Sequence, residues 1–156
     1  MMNFDNVQFE EVFSITIDVD APIVIGQDEI VGRRQLIPIR SGKVTGNGFN
    51  GEVLPGGIDS QIIRPDGKCE LSARYAIKLD DGATIYIENN GIRTVPPEYV
   101  NAVKNGEFID PNVYYFRTVP TFEVYSSKYK WLTEYTFFCS AKRLPENVLL
   151  QFYKLL

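Results

Sequence analysis

The sequence contains no histidine among its 156 residues. Histidine is the side chain whose ordinary pKa lies closest to neutral pH, and it is the commonest protein ligand of metal ions. Its absence excludes an imidazole-based catalytic triad, a histidine metal site and acid–base catalysis by imidazole. A site for a hard cation built from carboxylates alone is left open, but EF-hand and P-loop spacings are missing, so we expect no metal and no cofactor.

Cysteine is almost as scarce, with Cys69 and Cys139 as the two examples. Each lies in a predicted strand. Two such residues are more typical of buried free thiols than of a disulfide bridge.

The chain also lacks a basic run and any apolar stretch near the roughly 20 residues needed to span a bilayer. Its start, MMNFDNVQFEEVF, has neither the basic nor the apolar segment of a signal peptide. The net charge is −4 and the pI about 4.9. We therefore expect a cytoplasmic protein that binds neither nucleic acid nor a membrane.

Aromatic residues, by contrast, are plentiful, with ten Phe, nine Tyr and one Trp. Such residues favour strands, and the length suits one domain, residues 1–156, with a proper core.

The clearest local pattern is a hairpin centred on Asp80-Asp81-Gly82. Before it, apolar residues occupy every second position from Cys69 to Leu79, which predicts a strand with one buried face. A three-residue loop with Gly82 in the left-handed conformation pairs Ile77 with Ile85 and keeps the two faces distinct. A two-residue loop would mix them, so we predict the three-residue loop.

That register places Arg74 opposite Glu88, with Tyr86 nearby. The pair fits either a solvated outer face or a polar-lined barrel interior that holds a ligand. The preceding loop, residues 65–67, leaves a second alternative open. Three loop residues place Ile58 opposite Arg74, whereas two would place Asp59 there.

Elsewhere, Pro at the start, Glu in the first turn and Gly after the end predict one short helix near residues 96–106. We interpret residues 129–143 as one long aromatic strand that carries Trp131. The recurring turns predict an all-β protein with about eight or nine strands. A closed antiparallel β-barrel is favoured because closure removes exposed strand edges.

Five segments in order resemble the domain-of-unknown-function family 3237, also called uncharacterised-protein family 0311: GNGFNGEVLPGGID, RPDG, LSARYAIKLDDGATIYIENNGIR, YYFRTVPTFEV and KYKWL. The resemblance runs from about Phe9 to the C-terminus. It implies a calycin-like barrel with a polar-lined interior, and it supplies no activity. Ser60 departs from the family pattern, which often has an aromatic residue there, and this affects the expected pocket shape near Asp59.

Family-pattern matches and strand pairing together give the candidate ligand-binding residues, which are Glu52, Asp59, Arg74, Tyr86, Glu88, Tyr115 and Arg117. Carboxylates can exchange protons, arginines can clamp an anionic or carbonyl oxygen, and tyrosines can donate hydrogen bonds or stack on a ring. The sequence assigns no catalytic residue.

Three functions remain open. The first is the binding of a small, partly apolar metabolite in a polar-lined cavity, as barrels of about eight strands can do. The second is a cofactor-independent isomerase, cyclase or lyase that uses carboxylate, Arg and Tyr groups. The third is a structural or oligomerisation module, and a homo-oligomer is left open in every case.

Overall fold

The structure is a computed structural model that describes residues 6–156. Ten strands run in chain order as β1 Phe9–Val19, β2 Ile23–Asp28, β3 Gly32–Gly46, β4 Gly51–Val53, β5 Gly57–Ile63, β6 Cys69–Leu79, β7 Thr84–Thr94, β8 Tyr115–Val124, β9 Phe137–Arg143 and β10 Asn147–Leu155. One α-helix, α1, spans Val100–Lys104, and 3₁₀ turns span Pro97–Tyr99, Pro111–Val113 and Ser127–Thr133. The first five residues, which the sequence analysis includes in the domain and in the chain's start, lie outside the described part.

Antiparallel pairing closes the sheet into a barrel. The strands follow one another in the order β1, β10, β9, β8, β7, β6, β5 and β3, and β3 pairs again with β1. These eight strands form the ring. The short strand β4 pairs with the next stretch of both β3 and β6 after the one that β5 occupies, and β2 is an additional strand on β3. The predicted closed antiparallel barrel of about eight or nine strands is therefore confirmed, with eight strands in the ring and ten strands in all.

The central hairpin has the predicted register. Ile77 pairs with Ile85 and Arg74 with Glu88. The Leu79 N–H donates to the Ala83 carbonyl over 2.8 Å, so three residues form the loop, and Gly82 has a φ of +90°. Glycine adopts this conformation without the steric cost that other residues incur.

The hairpin before it also has a three-residue loop, at residues 65–67. Ile58 therefore lies opposite Arg74, and Asp59 lies opposite Ala73. This register decides the open alternative. It places Asp59 on the same face as Ala73, which is the buried face of β6.

The predicted short helix is confirmed as the 3₁₀ turn at Pro97–Tyr99 followed by α1. The single strand predicted over residues 129–143 is wrong in its first part. There the chain forms the 3₁₀ turn Ser127–Thr133, and β9 begins at Phe137. Tyr129 and Leu132 are the buried side chains of the turn, and their spacing of three matches the 3₁₀ period.

One end of the barrel is filled with aromatic side chains, and we call it the aromatic end. It consists of Phe13, Phe49, Phe122, Tyr129, Trp131, Phe137 and Phe152. Phe13 stacks on Phe49 with ring centroids 4.2 Å apart and on Phe152 at 4.5 Å. Trp131 packs here as well, with its ring centroid 5.8 Å from that of Phe137.

Both cysteines are buried free thiols, as predicted.

Within residues 6–156, no helix has the length and apolar character needed to cross a membrane.

The aromatic end gives a stability prediction. Phe152 is fully buried, so Phe152→Ala should lower the free energy of unfolding by about 3–5 kcal/mol, as Phe-to-Ala changes in cores do. The matched control is Phe138→Ala, because Phe138 stacks on Tyr153 at 5.1 Å on the outer face, and its loss should cost about 1 kcal/mol. Urea unfolding measures both changes. Equal losses would contradict the assignment of the aromatic end as the core.

Candidate functional site

The inner faces of the strands change character along the barrel. In β6, β7 and β9 the odd-numbered residues are the buried ones and point inward, as they do in β3 as far as Ile39. In β5, the residues Asp59, Gln61 and Ile63 lie on the same inner face, since Asp59 pairs with Ala73. Near the aromatic end these residues are apolar. Toward the opposite end four of the strands place polar side chains on the same inner face, namely Arg33, Gln35, Asp59, Gln61, Asn89, Arg93 and Arg143.

These side chains border a cavity of about 490 Å³. Its remaining lining is mostly aliphatic, with Ile17, Ile37, Leu71 and Leu150 among the contributors. The volume lies within the range of roughly 300–1,000 Å³ that small-molecule sites occupy. The cavity therefore combines an apolar wall with a group of polar side chains at one end of the barrel.

Asp59 is held in the cavity by a chain of side-chain hydrogen bonds. Gln61 Nε2 donates to Asp59 Oδ2 over 2.8 Å, and Gln35 Nε2 donates to Gln61 Oε1 over 2.9 Å. An ionised carboxylate can only accept hydrogen bonds, so the Gln61 amide must direct its NH₂ group toward Asp59. Its oxygen then faces Gln35, which must direct its own NH₂ group toward Gln61. The other carboxylate oxygen, Oδ1, is buried without a hydrogen-bond partner in the described structure.

The environment of Asp59 raises the pKa of its carboxyl group from 3.8 to about 6. Burial is the main cause, because removal from water disfavours the charged form. The hydrogen bond from Gln61 and the positive charges of Arg143 and Arg93 act in the opposite direction but are weaker. Asp59 can therefore gain or lose a proton close to neutral pH.

Arg93 and Arg143 lie on the same side of the cavity, at the ends of β7 and β9. Burial lowers the pKa of Arg143, and the positive charge of Arg93 lowers it further. Tyr114 joins the two residues. Its ring lies 5.6 Å from the guanidinium carbon of Arg93, and its Oη accepts a hydrogen bond from the Arg143 backbone N–H over 2.8 Å.

Arg33 attaches helix α1 to the barrel. Its Nη1 donates to the Lys104 carbonyl over 2.8 Å and its Nη2 to the Val103 carbonyl over 3.3 Å. These carbonyls belong to the last turn of α1, where a carbonyl lacks its usual partner four residues on, and the Val103 carbonyl also accepts a hydrogen bond from the Gly106 N–H over 3.1 Å. Val103 itself is only 2% exposed and lines the cavity, so this contact holds α1 against the polar end of the barrel.

Unpartnered polar atoms concentrate around the cavity. In residues 6–156, seven buried side-chain nitrogen or oxygen atoms have no hydrogen-bond partner, and six of them belong to cavity residues, namely Arg33, Asp59, Tyr75, Asn89, Arg93 and Thr118. An unsatisfied buried polar group costs about 1–3 kcal/mol, so native structures keep few of them. Their clustering is typical of a site whose polar groups serve a ligand.

The two thiols do not add a nucleophile to this site. Burial raises the pKa of both Cys69 and Cys139 to about 12, so both stay protonated at neutral pH. Because the thiolate is the reactive form, these cysteines serve packing. Asn89 Nδ2 contacts Cys139 Sγ at 3.8 Å.

The comparisons with known proteins agree with the sequence resemblance. The family model described as "Protein of unknown function (DUF3237)" matches residues 7–155. The chain belongs to the DUF3237 family.

Relatives of this DUF3237 protein share its whole length. A protein of Clostridium acetobutylicum named as a UPF0311 protein is 76% identical over 153 residues, which cover 98% of this chain and 97% of the relative. A crystal structure of a protein with unknown function from the same species has a TM-score of 0.95 at 75% identity and covers 99% of this chain and all of its own. A β-barrel-like protein from Acinetobacter baumannii is similar at 32% identity, with a TM-score of 0.85 over the full length of both chains.

Of the seven residues proposed from sequence, the DUF3237 barrel places only Asp59 in the cavity. The others lie on the outer face, away from the cavity lining: Glu52, Arg74, Tyr86, Glu88, Tyr115 and Arg117. The expectation that these side chains converge inside the barrel is therefore not met.

Arg74 and Glu88 form a solvated cross-strand pair, the first of the two alternatives. Arg74 Nη1 lies 3.9 Å from Glu88 Oε1, and the two side chains are 59% and 37% exposed. Such a pair contributes little to stability. Glu52 is also exposed, whereas Asp59 lines the cavity, so these two candidate carboxylates do not act together as a pair.

The sequence analysis did not propose Gln61, Arg93 or Arg143, although a signal for Arg93 was present. The predicted hairpin placed Ile85 and Ile87 on the buried face of β7. Counting on by two from Ile87 reaches Asn89, Gly91 and then Arg93, so the same alternation assigns Arg93 to the inside. The same count was available for Arg143, because stepping by two from Cys139 reaches Ala141 and then Arg143.

Among residues 6–156, no group of three or more Cys, Asp or Glu side chains is arranged to hold a metal ion. The polar groups of the cavity are instead the carboxyl groups of Asp59 and of the exposed Glu107, three guanidinium groups, amides and hydroxyls.

The raised pKa of Asp59 gives a pH-dependent stability prediction. The folded state binds a proton below a pKa of about 6, and the unfolded chain only below about 3.8. Ionised Asp59 therefore destabilises the fold fully above pH 6, by about 3 kcal/mol, and this penalty disappears as the pH falls toward 3.8. Asp59→Asn has no such carboxyl group, so it should be more stable than the wild type near pH 7 and lose that advantage near pH 4.

Denaturant unfolding of both proteins between those pH values measures the difference between their free energies of unfolding. The titration of all other groups cancels in that difference. A difference that does not change with pH would show that Asp59 has an ordinary pKa. Glu52→Gln, on the exposed face, is the control and should give no comparable trend.

Proposed function

We propose that the protein binds a small, partly apolar organic molecule in the cavity between Asp59 and Arg143. The observation that carries this proposal is the cluster of six cavity residues that each have a buried polar atom without a hydrogen-bond partner. A barrel that needed only a packed interior would fill this end with apolar side chains, as it does at the aromatic end. A ligand with polar atoms at one end would satisfy these groups and cover the aliphatic wall.

The position of the polar cavity residues on strands above a packed aromatic end supports the same proposal. The aromatic end supplies a packed base, and strands carry Asp59, Gln61 and Arg93, so these groups are positioned by ladder hydrogen bonds on both sides. Sites on strands are held more precisely than sites on loops. Preorganised groups lower the ordering cost of binding.

Binding can be tested by thermal unfolding against a panel of small carboxylates, phenols and lactones. A ligand at 100 times its dissociation constant stabilises a protein by about 2.7 kcal/mol, which gives a readily measured shift. Leu71→Trp adds bulk to the inner face and should weaken any ligand at least about tenfold, or about 1.4 kcal/mol.

Arg74→Ala is the matched control on the same strand, because Arg74 is exposed on the outer face. It should respond to the same compounds as the wild type. The cavity proposal is wrong if Leu71→Trp keeps full affinity, or if Arg74→Ala loses it.

Asp59 favours catalysis as a second candidate function. It is a buried carboxyl group with one free oxygen and a pKa of about 6, which suits a group that takes a proton and returns it. A cofactor-independent isomerase, cyclase or lyase needs such a group. Arg93 and Arg143 would stabilise negative charge that develops on a substrate oxygen.

This second function predicts solvent hydrogen exchange. Compounds that bind should be incubated with the protein in D₂O and examined by mass spectrometry for deuterium on carbon or for an isomerised product. The wild type should incorporate deuterium, and Asp59→Asn should bind the compound but lower the exchange rate by at least about 100-fold, as for loss of a general base. Equal exchange in both proteins would exclude Asp59 as that base.

A further inference from the structure

The cavity has an excess of positive charge. Three arginines line it, Arg33, Arg93 and Arg143, against the single enclosed carboxyl group of Asp59. Glu107, the other acidic residue on the lining, is exposed. Within the described part of the chain, the ion pairs join other residues and include none of these three arginines.

The three arginines differ in what they already bind. The Nη atoms of Arg33 donate to the two carbonyls at the end of α1, so the guanidinium group of Arg33 already holds α1 against the barrel. Arg93 has a buried Nε without a hydrogen-bond partner, and its charge acts directly on Arg143. Two guanidinium groups in a poorly hydrated site repel each other, and an anion between them converts that repulsion into attraction.

The rest of the lining sets the character of the ligand body. Away from Asp59, Arg93 and Arg143, the wall is formed largely by aliphatic side chains such as Ile37 and Leu150. A small hydrated inorganic anion would leave this wall bare, whereas an aromatic or aliphatic group would cover it. The polar part and the aliphatic part of the cavity therefore match a molecule that has a charged group at one end and an apolar body at the other.

We propose that the cavity selects organic anions, with the anionic oxygens bound between Arg93 and Arg143 and an apolar body against the aliphatic wall. This inference rests on the proposed function and specifies its ligand class. Arginine suits the role because its planar guanidinium presents paired donors to carboxylate oxygens. Asp59 lies on the same inner surface and offsets part of the positive charge.

The charge of Asp59 should consequently tune anion affinity. The groups that act on its carboxyl are Gln61 on β5, Arg93 on β7, Arg143 on β9, and Cys69 and Tyr75 on β6. Of these only the arginines are charged at neutral pH, because burial raises the pKa of Cys69 and of Tyr75. Protonation of Asp59 thus removes the one enclosed negative charge, so anions should bind more tightly as the pH falls through about 6.

Matched pairs of ligands test the inference. Benzoate with benzamide and 2-naphthoate with 2-naphthamide have nearly the same shape and differ in charge. Calorimetric titration near neutral pH should show the carboxylate of a pair binding at least about tenfold more tightly to the wild type. Arg143→Gln should bring that ratio close to one while it leaves the affinity for the amide within about twofold, and Arg93→Gln should act in the same direction.

Two controls separate charge recognition from structural damage. Arg74→Gln removes an exposed arginine from the outer face and should leave the preference unchanged. Asp59→Asn should abolish the rise in carboxylate affinity between about pH 8 and about pH 5.5, where both ligands keep their charge states. Circular dichroism and thermal unfolding identify any variant that fails to fold. For such a variant, the ratio of carboxylate to amide affinity in the wild type, and the pH dependence of that ratio, test the inference instead.

The results distinguish this inference from the proposed function. If amide and carboxylate bind the wild type equally well, the cavity binds small molecules but the anion preference is wrong. If the preference survives in Arg143→Gln and in Arg93→Gln, the two arginines do not provide it. If no member of either pair binds and the broader panel also gives no shift, both the proposed function and this inference are overturned.

Discussion

The pairing of β1 with β3 is the constraint on which the rest of the molecule depends. It joins the two ends of the sheet, so that every strand of the ring has one enclosed face and one solvated face. Because side chains alternate along a strand, this closure assigns every residue of the ring to the inside or the outside. The packed aromatic end, the cavity and the charges within it all follow from that assignment.

Local pattern was sufficient to predict the barrel class, the short helix and the register of the central hairpin. It was not sufficient to predict which face of the hairpin would be enclosed. Arg74 and Glu88 form a distinct polar face, and a ring of eight strands can enclose either polar or apolar side chains in principle. The interior volume decides the question here, because the large apolar side chains Tyr75 and Ile77 need that space for burial.

The remaining errors have similarly physical causes. Residues 129–132 are aromatic enough to read as a strand, but burial of Tyr129 and Leu132 follows a period of three, which tertiary packing at the aromatic end selects over strand propensity. The site is assembled from β3, β5, β7 and β9, whose separation along the chain hides it from local analysis. Only Asp59 was found from sequence, through its match to the family pattern.

The cavity contains several groups that make unfavourable contributions to the free energy of folding, and packing in the remainder of the barrel offsets them. Ionised Asp59, neighbouring guanidinium groups and unpartnered polar atoms all oppose folding, while the aromatic end supplies dense apolar burial. Proteins commonly tolerate such local conflicts at functional sites and lose stability there. The position of these conflicts at one end, away from the stacked rings, limits their effect on the core.

The closure of the ring also has a kinetic consequence. Phe9 pairs with Leu155, so the strand that starts the barrel completes its ladder only when residues near position 155 are in place. Contacts between residues so distant in sequence require a large loss of chain entropy before they give any gain, and proteins dominated by them fold slowly. During synthesis on the ribosome, β1 and β3 can pair early, but the free edge of β1 stays open until β10 emerges. Closure of the barrel in the cell therefore waits for β10, and the interval before closure is when this chain is most exposed to aggregation.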